Sequence, residues 1–188
     1  MNDEQDREII IRILKGDRQA YAILVDRYKG PVFDLAYRMT GNWHEAEELS
    51  QETFVTVYER LGDFNKHKRL FPWIYTIALN LARNHLKKRR REAPEKLPPI
   101  HPEPTREKPR DPEQDAMVQE QVNMLNQRML RLPPDLREAV VLRCFHDLPF
   151  QEVSQILNIS PAAAKMRVYR GLEKLRGGLG DPGDPKGS

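Results

Sequence analysis

Residues 159–176, ISPAAAKMRVYRGLEKLR, decide the fold class, together with the short apolar segment 150–157 before them. Ser160 is a favourable N-cap residue, and Pro161 suits the first helical position because its missing N–H would have no partner there. Apolar residues recur at helical spacing, and basic residues cover the remaining surface. The segment therefore predicts an amphipathic helix with a basic exposed side. Its apolar stripe comprises Ala164, Val168, Leu172 and Leu175, and its basic residues are Lys165, Arg167, Arg170, Lys174 and Arg176.

A second short helix is predicted before this one, beginning near Pro149. Its inward residues are Val153, Ile156 and Leu157, and Asn158 after it tolerates the left-handed turn conformation. Two short helices joined by a tight turn, with a basic second helix, are typical of a DNA-binding helix-turn-helix. An ordinary pair of packed helices in an all-helical domain fits this stretch as well, so both interpretations stay open here.

The composition sets limits on the class of protein. The chain has 188 residues and a mass of 22.0 kDa, enough for one large domain or two small ones. No apolar run approaches the roughly 20 residues of a membrane span, and the acidic N-terminus does not resemble a signal peptide. Cys144 is the single cysteine, which excludes an internal disulfide and suits a reducing, cytoplasmic location.

The charge is distributed unevenly, although the net charge is only +3. Residues 83–91 (RNHLKKRRR) and 165–176 are strongly basic, whereas residues 45–59 are strongly acidic. Separate basic and acidic patches favour nucleic acid at some surfaces and a basic partner at another. A solvated helix face is the alternative for any single charged run.

The N-terminal part of the chain predicts several helices. The first covers Asp3–Leu14, a second spans residues 17–28, and Pro31 is expected to open a third that Gly41 closes. Asn42 is expected to cap a long amphipathic helix, with Glu45 as the reciprocal acid of a capping box. The apolar side of that helix comprises Trp43, Ala46, Leu49, Phe54, Val57, Tyr58 and Leu61, and the polar residues away from it are Glu45, Glu48, Gln51, Glu52 and Glu59.

The next predicted helix begins near Pro72 and reaches about Arg91. Its buried side is expected to include Ile74, Ile77, Ala78, Leu81 and His85, and another side carries Trp73, Thr76, Asn80, Arg83, Asn84 and Lys87. Aromatic rings stack on bases, amides read base edges, and cations hold phosphates, so this mixture favours nucleic acid. The alternative is that Trp73 packs against the preceding helix while the asparagines are solvated.

Residues 92–112, EAPEKLPPIHPEPTREKPRDP, are rich in proline and predict a linker, because proline fixes φ and removes a hydrogen-bond donor. We therefore expect an all-α fold of two small helical domains, 1–91 and 113–176, with a disordered tail at 177–188. Beyond the linker, one helix starts at Pro112 and another spans 135–145. Their expected core residues are Met117, Val118, Val122, Leu125 and Met129, then Leu136, Ala139, Val140, Leu142 and Cys144.

No pattern of catalytic residues stands out. The sequence has no phosphate-binding loop, nucleophile elbow or dinucleotide fingerprint. Cys144 and His146 lack a second pair of ligands, so we expect no metal site, and Cys144 is predicted to be a small core residue. We expect neither enzymatic activity nor a cofactor.

Three segments together resemble a known family. They are HEAEELSQETFVTVYERLGDF (44–64), LFPWIYTIALNLARNHLKKRRR (70–91) and LPPDLREAVVLRCFHDLPFQEVSQILNISPAAAKMRVYRGLEKLR (132–176). In order and spacing they are similar to bacterial RNA polymerase sigma factors of the extracytoplasmic-function group in the sigma-70 family. The resemblance implies sigma region 2 within 1–91 and a region 4 helix-turn-helix within 113–176. It also implies a signal- or stress-responsive initiation factor that binds core RNA polymerase and recognises −10 and −35 promoter elements.

Two rival functions remain on the residues alone. One is an ordinary helix-turn-helix regulator with a helical sensor or dimerisation domain, and the other is a helical scaffold or adaptor. The regulator would bind duplex DNA without polymerase, and the scaffold would show no salt-sensitive DNA binding.

The resemblance also implies a role for particular residues. Glu48, Gln51 and Glu52 would dock on the clamp helices of the polymerase β′ subunit, with Phe54 supporting them from inside, and an acidic helix suits a basic partner. The second domain would meet the β flap. An anti-sigma factor is a further expected partner, and no direct membrane insertion is expected.

The −10 group would capture a base flipped from the non-template strand, and residues 88–91 would hold phosphates. This group is Asn65, Lys66, His67, Lys68, Trp73, Asn80, Arg83, Asn84 and Lys87. The −35 group is Ser160, Ala163, Lys165, Met166, Arg167 and Arg170. Ala163, Ala164 and Met166 differ from the residues common in the family, so the −35 sequence does not transfer from relatives.

Overall fold

The computed structural model describes residues 3–66, 68–92 and 112–177, with side chains from residue 4 and, beyond the linker, from residue 120. The chain divides into two compact units, Met1–Pro98 and Pro99–Ser188. Regular secondary structure in the described ranges is helical, which confirms the predicted all-α class. Most of the predicted linker and all but the first residue of the predicted tail lie outside the described residues. The helices are α1 Asp3–Leu14, α2 Arg18–Thr40, α3 Trp43–Arg60, α4 Leu70–Glu92, α5 Pro112–Arg131, α6 Pro134–Val140, α7 Phe150–Leu157 and α8 Pro161–Gly177.

In the first unit, α2 lies at the centre and packs against α1, α3 and α4, and α3 also packs against α4. The core includes the fully buried side chains of Leu24, Tyr28, Leu35, Ile74 and Tyr75. The hydroxyl of Tyr75 donates a hydrogen bond to the Pro31 carbonyl at 3.2 Å, which ties α4 to α2. The predicted buried side of α4 is confirmed at Ile74, Ile77 and Ala78, whereas Leu81 and His85 are half-buried.

Pro31 does not open a new helix. It lies inside α2, so the prediction of two separate helices here is wrong. The buried stripe continues in phase across the proline, because Tyr28 before it and Val32 after it are both fully buried. Pro31 itself is exposed. Burial of the continuous stripe offsets the roughly 3 kcal/mol that a proline costs inside a helix.

Asn42 caps α3, as predicted. Its side-chain oxygen accepts hydrogen bonds from the backbone N–H groups of His44 at 2.9 Å and Glu45 at 3.2 Å. The reciprocal half of the capping box is wrong, because the Asn42 N–H donates to the Thr40 hydroxyl at 3.3 Å instead. The Glu45 carboxylate faces Arg89 of α4, and a guanidinium is a stronger partner for a carboxylate than a backbone N–H.

In the second unit, α8 packs against both α6 and α7. Arg137 of α6 is buried, and its guanidinium donates to the carbonyls of Leu130 and of Leu132, the latter at 3.1 Å. These bonds close the corner between α5 and α6, where Pro133 and Pro134 interrupt the helix. The helix of 135–145 differs from its prediction after Val140, because Val141–Phe145 forms a wider turn with an N–H of His146 bonded to the Val141 carbonyl at 3.2 Å.

The wider turn corrects one prediction about the core. Leu142 is fully buried, but Cys144 is exposed rather than a core residue. An added residue per turn changes the angle at which the following side chains leave the helix. Partial desolvation raises the pKa of the Cys144 thiol, so the group stays protonated at neutral pH. Nothing in the sequence signals this change of helical geometry.

The apolar side predicted for α5 is only partly buried. Met129 is buried, but Val122 and Leu125 are 44% and 41% exposed, contrary to the prediction. Met117 and Val118 are outside the side chains that the structure describes. Helical spacing identified an apolar stripe, but it does not show how much of that stripe the other described helices cover.

Candidate nucleic-acid and protein interfaces

The helix-turn-helix predicted from residues 150–176 is present. Asn158 adopts the left-handed conformation with φ of 54° and ends α7, and the N–H of Ile159 bonds to the Ser154 carbonyl at 3.0 Å. Ser160 caps α8, because its hydroxyl accepts from the Ala163 N–H at 3.1 Å. This turn sets α8 across α7 with one side of α8 buried and the other exposed, the arrangement typical of a helix-turn-helix.

The exposed side of α8 carries most of the predicted −35 group. Lys165, Met166 and Arg170 are exposed, whereas Ala163 is half-buried and Ser160 uses its hydroxyl for the cap. Arg167 is also half-buried, and its Nε lies 3.9 Å from a carboxylate oxygen of Asp135. Arg167 is therefore less available to DNA than the sequence suggested.

Tyr169 is a member of this surface that the sequence analysis missed. It is exposed, and the Lys165 ammonium lies 5.7 Å from the centre of its ring. A cation over an aromatic face is held in place by electrostatic attraction. The i, i+4 spacing of Lys165 and Tyr169 could have revealed this pair.

On α3, Glu48, Gln51 and Glu52 lie together on one exposed side, as predicted. Phe54 is buried, and its supporting role stays a prediction. The residues share a side because they are three or four positions apart on the helix.

Two apolar side chains extend this exposed row, and the sequence analysis missed both. Val55 is 57% exposed and Tyr58 is 55% exposed, so the prediction that Tyr58 is a core residue is wrong. They follow Glu48 by seven and ten positions and therefore belong to its side of the helix. Their spacing from Glu48 could have indicated that both residues are exposed, but Tyr58 was assigned to the core because it is apolar.

A groove of about 640 Å³ borders these residues, between α2 and α3. Two contacts join α2 to α3 beside the groove. The Tyr21 hydroxyl donates a hydrogen bond to the Phe54 carbonyl, and the Tyr21 and Tyr58 rings meet edge to face with their centres 4.9 Å apart. Burial raises the pKa of Tyr21 to about 12, which keeps its hydroxyl protonated as a donor. The lining of the groove is largely apolar, and Arg18, Gln51 and Glu59 add a cation, an amide and a carboxylate.

The segment before α4 contains the first part of the predicted −10 group. Asn65, Lys66 and Lys68 are exposed, and the Lys68 N–H bonds to the Asn65 carbonyl at 2.9 Å. His67 lies outside the described residues. Trp73 is half-buried, and its ring lies 5.0 Å from that of Phe64, which follows the preceding helices rather than belonging to them.

Along α4, the rest of the −10 group shares one side of the helix. Asn80, Asn84 and Lys87 are exposed, and the half-buried Arg83 donates to the Asn80 side-chain oxygen at 2.9 Å. Seven residues separate Trp73 from Asn80 and another seven separate Asn80 from Lys87, which is close to two helical turns each time. An aromatic edge, amides and cations therefore follow one continuous line.

The basic end of α4 does not present all of its cations. Lys88, Arg90 and Arg91 are exposed, but Arg89 is half-buried and its Nη1 lies 2.7 Å from Oε2 of Glu45. The expectation that Arg89 holds a phosphate is therefore not supported by its geometry.

A second groove, of about 550 Å³, lies between α5 and α8. Met124 and Leu125 are exposed along it, and Leu172 and Leu175 of α8 are half-buried opposite them. Arg128 and Arg176 also line it. The exposed apolar side of α5 therefore lines this groove.

Neither a metal cluster nor a membrane helix occurs in the part of the chain that the structure describes. There, no three His, Cys, Asp or Glu side chains are grouped to hold an ion. Within the same ranges, no helix combines the length and the hydrophobicity that crossing a bilayer requires.

Comparison with known proteins accounts for both units. The family model for Sigma-70 region 2 matches residues 24–92, and the model for Sigma-70, region 4 matches residues 123–175. The chain is 33% identical to the ECF RNA polymerase sigma factor SigW of Bacillus subtilis, over 92% of this chain and 95% of SigW. It is 34% identical to the RNA polymerase sigma factor CarQ of Myxococcus xanthus, over 90% and 95% of the two chains.

Two solved structures share the fold. CnrH, in complex with the cytosolic domain of CnrY, has a TM-score of 0.68 and 22% identity, with 93% of this chain and 96% of CnrH covered. RpoE of Bartonella quintana, in complex with the anti-sigma factor NepR, has a TM-score of 0.68 and 19% identity, with coverages of 92% and 99%.

The chain belongs to the sigma-70 family, as an extracytoplasmic-function RNA polymerase sigma factor. It is a transcription initiation factor that directs RNA polymerase to promoters. Members of this family are non-catalytic. The ordinary-regulator and scaffold alternatives are thereby set aside.

Proposed function

We propose that the exposed row of α3, formed by Glu48, Gln51, Glu52, Val55 and Tyr58, docks this sigma factor on the β′ clamp helices of core RNA polymerase. The observation that carries the proposal is that carboxylates, an amide and two apolar side chains stay exposed together on a helix whose opposite side is fully buried. Such a mixture suits a basic, amphipathic partner helix, because the apolar centre supplies contact area and the charges set its register.

The −10 element is read by α4 and the segment before it. Asn65, Lys66, His67 and Lys68 capture a base flipped from the non-template strand, and contacts in that pocket offset the few kcal/mol that unstacking costs. Trp73, fixed against Phe64, supports the edge of the opened duplex. Asn80, Arg83, Asn84 and Lys87 then follow the strand along α4.

The −35 element is read by α8. Lys165 and Met166 face base edges, where a methionine meets a thymine methyl group better than it meets a polar edge. Arg170 holds phosphate, with a smaller contribution from the partly shielded Arg167, and Ser160 and Ala163 lie at the end of α8 that enters the groove. The groove between α5 and α8 receives an apolar helix of the polymerase β flap, because Met124 and Leu125 offer it uncovered apolar area.

We assign region 2 to residues 1–91 and region 4 to 113–176, joined by a linker at 92–112. Because promoter opening takes place on the polymerase, the protein works in the cytoplasm. An anti-sigma factor that responds to a stress or another signal covers these docking surfaces. Support comes from RpoE of Bartonella quintana, which shares the fold and binds the anti-sigma factor NepR.

Transcription in vitro with purified core polymerase tests the proposal. Core polymerase with this protein is expected to start transcription at a discrete set of genomic positions that core alone does not use. A 1:1 complex with core and weak DNA binding by the free protein are also expected. Specific duplex binding as a dimer, without any effect on core polymerase, would contradict it.

A further inference from the structure

One carboxylate joins the helix proposed to bind polymerase to the helix proposed to read promoter DNA. Oε2 of Glu45, in the first turn of α3, lies 2.7 Å from Nη1 of Arg89 on α4. The same Nη1 lies 3.4 Å from the carbonyl of Thr40, the last residue of α2. Arg89 therefore meets the ends of two other helices.

His85 belongs to the same cluster. Its Nε2 lies 2.9 Å from the same Glu45 oxygen, although its orientation does not meet hydrogen-bond geometry. The contact of His85 is therefore a close polar approach, and Arg89 makes the directed bond. His85 and Arg89 are about one helical turn apart, so both lie on the same side of α4 and face Glu45.

The burial pattern separates Arg89 from its basic neighbours. Lys87, Lys88, Arg90 and Arg91 are all exposed, whereas the side chain of Arg89 keeps 25% of its exposure and that of Glu45 keeps 21%. A charge-assisted hydrogen bond in a partly desolvated site has a more defined geometry than a surface ion pair. Arg89 is directed into the protein while its neighbours point to solvent.

We propose that Glu45 and Arg89 form a brace that fixes the direction of the basic end of α4, so that Arg89 is a positioning residue for promoter binding rather than a DNA contact. The inference rests on the proposed function of α4. The brace holds the last turns of α4 against α2 and α3. The exposed cations then meet successive phosphates without a further loss of conformational entropy in these turns.

The direction in which Glu45→Ala changes DNA affinity distinguishes a positioning role of Arg89 from direct phosphate binding. If Arg89 bound phosphate directly, Glu45→Ala would release it and remove a nearby negative charge, and DNA affinity would stay equal or rise. If the two residues form a brace, Glu45→Ala lowers DNA affinity although it removes a charge of the same sign as DNA. The two roles therefore predict opposite directions.

The experiment measures holoenzyme affinity for a duplex promoter fragment that start-site mapping identifies. Glu45→Ala and Arg89→Ala are each expected to lower promoter affinity about fivefold. The double variant is expected to have the same affinity as the single variant that binds less tightly, because both substitutions remove one contact. Arg90→Ala is the matched control, because it removes an exposed cation from the same end of α4 and leaves the contact between Glu45 and Arg89 intact. Arg89→Lys is expected to bind the promoter more tightly than Arg89→Ala and less tightly than the wild type.

Affinity for core polymerase and the thermal midpoint are measured on the same variants, since a purely structural defect would lower all three. The proposal is overturned if Glu45→Ala leaves promoter affinity unchanged or raises it, or if it weakens core binding as much as promoter binding. It is also overturned if the effects of Glu45→Ala and Arg89→Ala multiply. Failure of the wild-type holoenzyme to bind any promoter would instead refute the proposed function.

Discussion

Gly171 of α8 lies so close to Val140 of α6 that a β-carbon at position 171 would stand 2.4 Å from Cγ2 of Val140. Real β-carbons do not approach another atom this closely, so an alanine there would force the two helices apart. Val140 is fully buried and branched at its β-carbon, and it has little freedom to move aside. The glycine therefore sets the distance between α6 and the helix proposed to read the −35 element.

We predict that Gly171→Ala destabilises the protein by about 1–3 kcal/mol through overpacking. Thermal and urea denaturation would measure the loss. Gly177→Ala is the matched control on the same helix, because a β-carbon there meets nothing within 4 Å. Adding Val140→Ala to Gly171→Ala should cost less than the sum of the two single effects. A loss in the double variant equal to that sum would show that the close approach does not matter.

The exposed row of α3 predicts a charge-dependent loss of polymerase binding. Glu48→Arg combined with Gln51→Ala is expected to weaken the complex with core polymerase at least tenfold, because a basic partner would then meet a repulsive charge. The fold should be preserved, since both side chains are exposed. Equilibrium binding to core measures the effect, and Glu8→Arg on the exposed side of α1 is the control. Unchanged affinity in the double variant would remove this row from the docking surface.

Val55 tests the apolar part of the same row. Val55→Asp places a charge where an apolar contact is proposed, and core affinity is expected to fall by about tenfold or more. Thermal stability should change by less than about 0.5 kcal/mol, because exposed substitutions have small effects. A variant that binds core like the wild type would confine the interface to the acidic residues.

Two substitutions on α8 should have different effects. Lys165→Ala is expected to change the preferred −35 sequence, because Lys165 is proposed to face base edges. Arg170→Ala is expected to weaken binding about equally for all sequences and to lower the salt dependence by about one counterion. Holoenzyme selection on a randomised −35 library, repeated at several salt concentrations, separates the two. Identical behaviour would mean that the division between base and phosphate contacts is wrong.

Asp17 predicts a pH-dependent contribution to stability. Its carboxylate accepts hydrogen bonds from the backbone N–H of Ala20 and from the side chain of Arg12, which hold the pKa below its ordinary value of 3.8. A lowered folded pKa contributes stability above the unfolded value, and this stability is lost as the pH falls through the folded pKa. Asn at position 17 could still cap α2 but would carry no charge.

The measurement compares thermal midpoints of the wild type and Asp17→Asn between pH 7 and pH 3. The wild type is expected to be more stable at pH 7, and the difference should shrink below about pH 4. Asp26→Asn is the control, because Asp26 pairs with Lys29 on the surface and exposed pairs of this kind contribute little. A difference that does not vary with pH would assign the effect of Asp17 to its cap geometry alone.

Local signals in the sequence were sufficient for most helices and for the helix-turn-helix. Ser160, Pro161 and Asn158 act through bonds and backbone conformations within a few residues, so the start of α8 and the end of α7 follow from residue types. The exposed positions of Glu48, Gln51 and Glu52 follow from helical spacing in the same way. Their roles in docking remain predictions, as do those of the two promoter-reading groups.

Long-range contacts decided the remaining features. Helix α2 passes through Pro31 because the buried stripe on both sides of it is matched by α1, α3 and α4, which no local rule contains. The exposure of Tyr58, Val122 and Leu125 depends on which surfaces other helices cover, and spacing alone reports only that a side is apolar.

The basic helix-turn-helix stretch and the acidic stretch were recognisable from sequence because charge and periodicity are properties of consecutive residues. The pairing of Glu45 with Arg89 was not, because 44 residues separate them. The sequence by itself determined most of the helices, the all-α class and the family to which the chain belongs. Only the tertiary structure decided that, at the basic end of α4, Arg89 is held by the Glu45 carboxylate while Lys88, Arg90 and Arg91 face solvent, because that choice depends on a contact between residues far apart in the sequence.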